Sequence, residues 1–450
     1  MSGEWIRLYL IKMEPAQQSH SAIRTRRREI EQLANEILSH NLKGIPYGAR
    51  VMPREIEELD WNVLNGDLPF PLLVLKNSAI DRNLQSMADF CVKNNMLLAP
   101  HGKTTMCPQI FARQLDAGAW AITVATVSQA MVCASYGINR ILIANQVVGD
   151  SNISSLVRLL NDNDEIECYC LIDSVAGVRH LAETMEKYGA RAALNVLIEW
   201  GRDHWRSGVR SERQALEVAV ETVKQGRFLK LCGVEAYEGL ATSSDPADEV
   251  KQVDEFFSDF LMVAEKIKSN SPLDASPILS FGGSSFLDRA VHLAKSSAVD
   301  FRLVLRSGCY VTSDHGFYAE KLTASKQRSE SEIPDFLPAL ELWSYVQSLP
   351  EPQLALLTFG KRDCPNDLGF PVPLFNLEES LEDRRILTGA QIAKLNDQHA
   401  YMTFADDVGL KIGSKVCCGI SHPCTVFDKW RVIPVVDDNY NVIDLYRTFF

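Results

Sequence analysis

Three stretches of this 450-residue chain carry residue types and spacings that could do chemistry. The first is Leu97-Leu98-Ala99-Pro100-His101-Gly102-Lys103-Thr104-Thr105. The apolar run Met96 to Ala99 reads as a buried strand, Pro100 and Gly102 stop it, and Thr104 or Thr105 can cap a following helix. Lys103 then sits where a strand hands over to a helix, the end at which barrel enzymes keep their chemistry. A desolvated lysine there can lose its proton and attack a carbonyl to form a Schiff base. On this stretch alone a solvated surface lysine is the simpler reading. The second stretch is Ser280-Phe281-Gly282-Gly283-Ser284-Ser285, before a helix expected near Phe286. Two glycines let backbone N–H groups approach an anion, and the helix N-terminus adds partial positive charge. A plain glycine turn with a serine cap reads the same way. The third is Ser421-His422-Pro423-Cys424. In an extended strand residues two apart face one way, so His422 and Cys424 could converge on one ion. Imidazole plus thiolate suits zinc, and two protein ligands leave positions open for water or substrate. Among nine histidines and eleven cysteines such a pair can also be accidental core filling.

These groups need a frame. From Met96 to about Tyr310, strand signals alternate with helical patterns: Met96–Ala99, Trp120–Val124, Arg140–Ala144, Ile166–Ile172, Ala193–Ile198, Lys230–Glu235, Pro277–Phe281 and Arg302–Leu305. Eight such signals predict an α/β chain built on a (β/α)8 TIM-type barrel. An open doubly wound sheet would carry a Gly-x-Gly-x-x-Gly turn in the first half, which is absent. Loops after the seventh and eighth barrel strands favour phosphate, which is where Gly282, Gly283 and Ser284 fall. Another strand is expected at Pro71–Leu75. Beyond Glu320–Glu332, charged and serine-rich and read as a linker, come Leu340–Val346, Gln353–Phe359, Val416–Cys418, Thr425–Phe427 and Val432–Val436. Short β-rich segments without long helices predict a C-terminal β-domain. Ile30, Leu33, Ala34, Ile37 and Leu38 predict one amphipathic helix near the start. The expected division is 1–67 as extension and lead-in, 68–320 as cofactor-binding barrel, and 321–450 as β-domain with the metal motif.

The run from Pro71-Leu72-Leu73-Val74-Leu75-Lys76 through Ile80-Asp81-Arg82-Asn83-Leu84 to Pro100-His101-Gly102-Lys103-Thr104 resembles the alanine-racemase-like (fold type III) pyridoxal-phosphate enzymes. Within them it is most similar to the branch of D-serine dehydratases and D-threonine aldolases. The resemblance spans roughly residues 68 to 450. It implies that Lys103 carries pyridoxal 5'-phosphate and that the Gly282, Gly283, Ser284 loop holds its phosphate. It places Tyr237, in Glu235-Ala236-Tyr237-Glu238-Gly239, near the cofactor ring. Arg206, in Trp205-Arg206-Ser207-Gly208-Val209, resembles an arginine that reaches the ring oxygen or a substrate carboxylate. A core tyrosine and a surface ion pair remain the plain readings of these two. The Ser421 to Trp430 stretch resembles the zinc segment of eukaryotic-type D-serine dehydratases. The aldolases carry aspartate where this chain has Cys424, and on that resemblance favour harder ions such as manganese. Cys424 therefore leans towards Zn2+, with another divalent metal as the alternative. His399 is the candidate for a second role near the metal.

The function expected is a zinc-dependent lyase acting on D-3-hydroxy amino acids, D-serine dehydratase first. Retro-aldol cleavage of the D-threonine aldolase type is the alternative. An amino-acid racemase needs a second base that the sequence does not offer. A non-catalytic cofactor-binding protein would leave the His422/Cys424 domain unexplained. Net charge of −12 and the lack of a long basic stretch argue against nucleic acid. No apolar run approaches the ~18 residues of a spanning helix, so no membrane partner is expected. Eleven irregularly spaced cysteines suit reduced thiols and a cytoplasmic location. The adjacent Cys417 and Cys418 are expected as packed thiols. The resemblance implies a homodimer.

Overall fold

The computed structural model describes residues 20–271, 273, 276–296, 300–329, 332–405 and 408–450. The chain divides into two compact units that interleave along the sequence. Of the described residues, one takes 20–29, 88–102 and those within 111–307, the other 30–87, 103–110 and those within 308–450.

The first unit is built on eight parallel strands: Leu97–Leu98, Ile122–Val124, Arg140–Gln146, Glu167–Ile172, Leu194–Trp200, Leu229–Ala236, Ile278–Phe281 and Arg302–Leu305. From the second strand on, each pairs with its neighbour in sequence, and the last returns to the first through Val304 opposite Leu97. Trp120 N–H donates to the Leu98 carbonyl at 2.7 Å and Thr123 N–H to Pro100 at 2.9 Å, so the first two strands also join and the ring closes. All eight expected strands are present, and the barrel reading holds. Their apolar, β-branched composition suits a parallel sheet with both faces covered. Ala99, Trp120, Leu142, Tyr169, Leu171, Leu197, Cys232, Ile278 and Val304 fill the middle as one cluster, each nearly or fully buried. It is a packed interior, not a pore.

The second unit is antiparallel β. Leu340–Glu351 pairs on one side with Lys415–Gly419, which pairs in turn with Val372–Leu377. On its other side lies Leu72–Lys76, which also pairs in parallel with Val432–Val436. The strand expected at 71–75 is therefore formed, and it belongs to this sheet. Trp343, Trp430, Phe359 and Phe427 are fully buried here. Trp430 Nε1–H donates to the Asp363 carbonyl at 2.9 Å, which satisfies the one polar atom that a buried indole brings with it.

Three local expectations are corrected. The stretch read as a linker is mostly helix, Phe317–Arg328, because Asp314 accepts backbone N–H groups of Gly316, Tyr318 and Ala319 and caps it. Thr425–Phe427 is not a strand. Pro423 opens a 3-10 turn, Pro423–Thr425, followed by another at Phe427–Lys429, since a proline ring pre-sets the dihedral of a first helical position. Near the start, the helix runs His20–Ala34 and stops short of Leu38, which pairs with Val51 in a two-residue strand. Ile37 is exposed as a result.

Candidate active site

In the barrel unit the glycine loop follows the strand Ile278–Phe281 and precedes the helix Leu287–Ser296. Gly282 has φ +79°, and a Cβ there would lie 2.5 Å from Leu305 Cδ1. A side chain at this position would thus meet both a forbidden dihedral and a collision. A Cβ on Gly283 would come within 3.2 Å of the Tyr237 ring. The backbone amides are therefore bare, and one of them is in use: Gly283 N–H donates to Glu238 Oε1 at 2.7 Å. Ser284 Oγ lies 2.7 Å from Ser307 Oγ.

Tyr237 follows the strand Leu229–Ala236, and the guanidinium of Arg206 stacks over its ring at 5.0 Å. The sequence-derived Arg206, Tyr237, Gly283 and Ser284 thus share one region of this unit. Arg206 itself is exposed. Sequence reasoning missed the buried charges around them. Glu238 is fully buried, and burial raises its carboxyl above the usual range against the pull of the Gly283 amide. Glu235 is pushed up to about 7 by burial, although it is paired with Arg306. Ser280 Oγ and Arg306 Nε are buried and make no hydrogen bond.

In the second unit Lys103 lies on the 3-10 turn Gly102–Thr104 and is exposed. The next helix begins only at Pro108, so Thr104 does not cap it. Its hydroxyl lies instead 3.9 Å from the sulfurs of both Cys309 and Cys424. Those sulfurs are 3.3 Å apart, and the Tyr318 hydroxyl is 4.0 Å from Cys424. His422 is extended and Cys424 sits in the turn that follows, so the two do not converge by strand alternation. They are near each other nonetheless, and the charge of each favours the charged form of the other. Cys309 donating to Cys424, opposed by burial and aided by His422 and Thr104, holds the Cys424 thiol well below its usual range. His422 is pushed up to about 9: burial works against its charge, but Cys424 and Asp367 outweigh it. Asp367 Oδ2 lies 2.9 Å from His422 Nδ1, so Nδ1 is the braced ring nitrogen and Nε2 the other.

His399 closes the hairpin between Gln391–Leu395 and Ala400–Thr403, and Asp367, not His399, reaches His422. Thr104 was read only as a helix cap and as part of the lysine motif, and Cys309 and Asp367 come from segments remote from Ser421 to Trp430, so sequence placed none of the three beside Cys424 or His422. All eleven cysteines are free thiols, Cys417 and Cys418 included.

Among the described residues no three His, Cys, Asp or Glu side chains are set to hold a metal. An ion at His422 and Cys424 would have two protein ligands and open positions. No helix among the described residues is long and apolar enough to cross a membrane.

The description of the alanine racemase N-terminal domain matches residues 75–299, half of the chain, and that of a serine dehydratase domain matches residues 339–436. The chain belongs to the alanine-racemase-like pyridoxal-phosphate enzymes. Relatives of this alanine-racemase-like chain include the D-threonine aldolase of Arthrobacter sp, 31% identical over 38% of this chain and 43% of its own length. The 3-hydroxy-D-aspartate aldolase of Paracoccus denitrificans is 23% identical over 81% of this chain and 88% of its own. The match to the first thus spans less than half of that relative. Among solved structures, D-threo-3-hydroxyaspartate dehydratase from Delftia sp. HT23 superposes with TM-score 0.68 at 19% identity, over 86% of this chain and 99% of that one.

The family implies pyridoxal phosphate, and the donors present suit it. The glycine loop already gives a bare amide to an acidic side chain, that of Glu238. The thiol held low and the imidazole with one nitrogen braced suit a soft divalent ion.

Proposed function

We propose that the protein is a pyridoxal-phosphate- and zinc-dependent lyase acting on D-3-hydroxy amino acids, with D-serine converted to pyruvate and ammonia as the leading reaction. The observation that carries this reading is the sulfur group around Cys424. Thr104, next to Lys103 in the chain, lies 3.9 Å from that sulfur, which ties the lysine's turn to the His422/Cys424 pair. Names of similar proteins support it. One solved D-threo-3-hydroxyaspartate dehydratase is a histidine-to-alanine variant, and another is a cysteine-to-alanine variant in metal-free form. The two replaced positions there are two apart, as are His422 and Cys424.

Lys103 would hold the cofactor through its Nζ, and Gly282, Gly283 and Ser284 would hold its phosphate, with Tyr237 and Arg206 beside them. Pyridoxal phosphate supplies an electron-withdrawing ring that lets a Cα–H bond ionise. Lys103 Nζ would take that proton. His422 and Cys424 would hold the zinc, which would supply a Lewis acid for a departing β-hydroxyl. Asp367 braces Nδ1 of the His422 ring, which would leave Nε2 for the ion. Assembly as a homodimer belongs to the same proposal and rests on the family resemblance.

Retro-aldol cleavage to glycine and an aldehyde is the second reading, favoured by the two relatives named as aldolases. One assay separates them. Purified protein is given D-serine, D-threonine and their L-forms, with and without a chelator. Pyruvate from D-serine that disappears on chelation is the expected result. Glycine and acetaldehyde from D-threonine, without pyruvate from D-serine, would replace elimination by the aldolase reading. Lys103→Ala should abolish the cofactor's visible absorbance and its covalent trapping by borohydride. Trapping that persists would move the attachment to another lysine.

A further inference from the structure

The glycine loop has an occupant of its own. Glu238 is fully buried, its Oε1 takes the Gly283 N–H at 2.7 Å, and the backbone of Gly282 also favours its charged form. Its other oxygen, Oε2, is buried and accepts no hydrogen bond. These are the donors that an incoming phosphate group would need. Two anions cannot share them: each amide has one hydrogen to give, and like charges in a desolvated site repel strongly. A Cβ on Gly282 would lie 2.5 Å from Leu305 and one on Gly283 3.2 Å from the Tyr237 ring, so these side chains flank the loop closely, whereas the glutamate side chain can turn about its own bonds. The carboxylate therefore has to be the part that yields.

We infer that Glu238 is the resident anion of the glycine cradle and limits how tightly the cradle takes a phosphate group, because its carboxylate must release the Gly283 amide before phosphate can use it. This rests on the reading that the cradle receives the phosphate of the cofactor. Glu238 is a positioning residue in this role and touches no reacting atom. Burial, which already disfavours its charged form, eases the release.

Cofactor-stripped wild type and the Glu238→Gln and Glu238→Asp variants are titrated with pyridoxal phosphate, with phosphate-free pyridoxal and with inorganic phosphate. Binding is read by quenching of tryptophan fluorescence and by 31P line broadening. Removing one hydrogen-bonded charge should tighten pyridoxal phosphate and inorganic phosphate on Glu238→Gln by about tenfold. Pyridoxal should be unchanged, and Glu238→Asp, which keeps the charge, should not tighten. Equal or weaker phosphate binding by Glu238→Gln would make Glu238 a brace of the loop and overturn the inference. An equal gain for pyridoxal would overturn it too, since the effect would not pass through phosphate. Melting in phosphate-free buffer checks the fold, and Glu238→Ala carries the same expectation should the glutamine variant not fold. If inorganic phosphate behaves as expected while no variant takes pyridoxal phosphate, the Glu238 inference stands and the cofactor reading falls.

Discussion

At the scale of single residues, the sulfur of Cys424 is set apart from the other thiols. Buried Cys91 and Cys168 are pushed up to about 12 by desolvation. Cys424 goes the other way because Cys309 donates to it, with His422 and Thr104 adding to the effect against burial. In chelator-treated protein Cys424 should therefore alkylate with iodoacetamide at pH values well below an ordinary thiol, while the other cysteines stay inert. Cys309→Ala should move its profile upward by removing the first of those donors. Peptide mass spectrometry across pH 5 to 9 reads both, and a Cys424 profile at the ordinary thiol position would refute the account. Residues with a marked chemical identity were legible here: Lys103 after His-Gly, the paired glycines, and His422 with Cys424 two apart. Cys309, Asp367 and Glu238 were not. Each gains its role from a neighbour far along the chain, and nothing in local spacing marks such a pairing.

At the scale of elements, strands read well and short turns read poorly. The barrel strands are continuous apolar runs bounded by breakers, a pattern that burial on both faces dictates. The helix Phe317–Arg328 has a polar surface and buries little beyond Leu322 and Ser325, so its sequence looks like a linker. Its formation depends on Asp314 at its N-terminus, next to His315, and the two titrate in opposite senses. Burial raises Asp314 to about 6 against the three amides that it accepts, and burial lowers His315 to about 4. The Asp314 contribution is present below its unfolded value of about 3.9 and is lost as pH rises through 6. The His315 contribution is present above about 6.5 and is lost as pH falls through 4. Between those limits they offset each other. Relative to wild type, His315→Gln should lose less stability on going from pH 6.5 to 4, by up to about 3 kcal/mol. Asp314→Asn should lose less on going from pH 4 to 6, by a similar amount, beyond a pH-independent cost of about 1 kcal/mol for the weaker cap. Urea midpoints against pH decide it, and variants that keep the wild-type slope would show that neither group is linked to folding.

At the scale of the whole molecule, composition and strand rhythm disclosed a barrel and a β-rich region, but not how the chain is shared between them. The strand Leu72–Lys76 precedes the barrel in sequence and yet lies between Leu340–Glu351 and Val432–Val436. Its residues Leu72, Leu73, Val74 and Leu75 are all fully buried. An apolar run of that kind states that it is buried and is silent about its partners, because pairing is decided by long-range closure that no local pattern encodes. The consequence can be tested by cutting the chain. A fragment of residues 308–450 keeps most of the antiparallel strands but leaves two of them with open backbone edges where Leu72–Lys76 belongs. Exposed apolar edges recruit further copies and weaken cooperative folding. The fragment alone should therefore self-associate and unfold without a sharp transition. Supplying a peptide of residues 68–80 in trans should restore part of the transition, since it returns both ladders and the buried leucines together. Circular dichroism melts and sedimentation of the fragment with and without the peptide measure this. A sharp, monomeric transition from the fragment alone would mean that the strand is an accessory to the sheet rather than its centre.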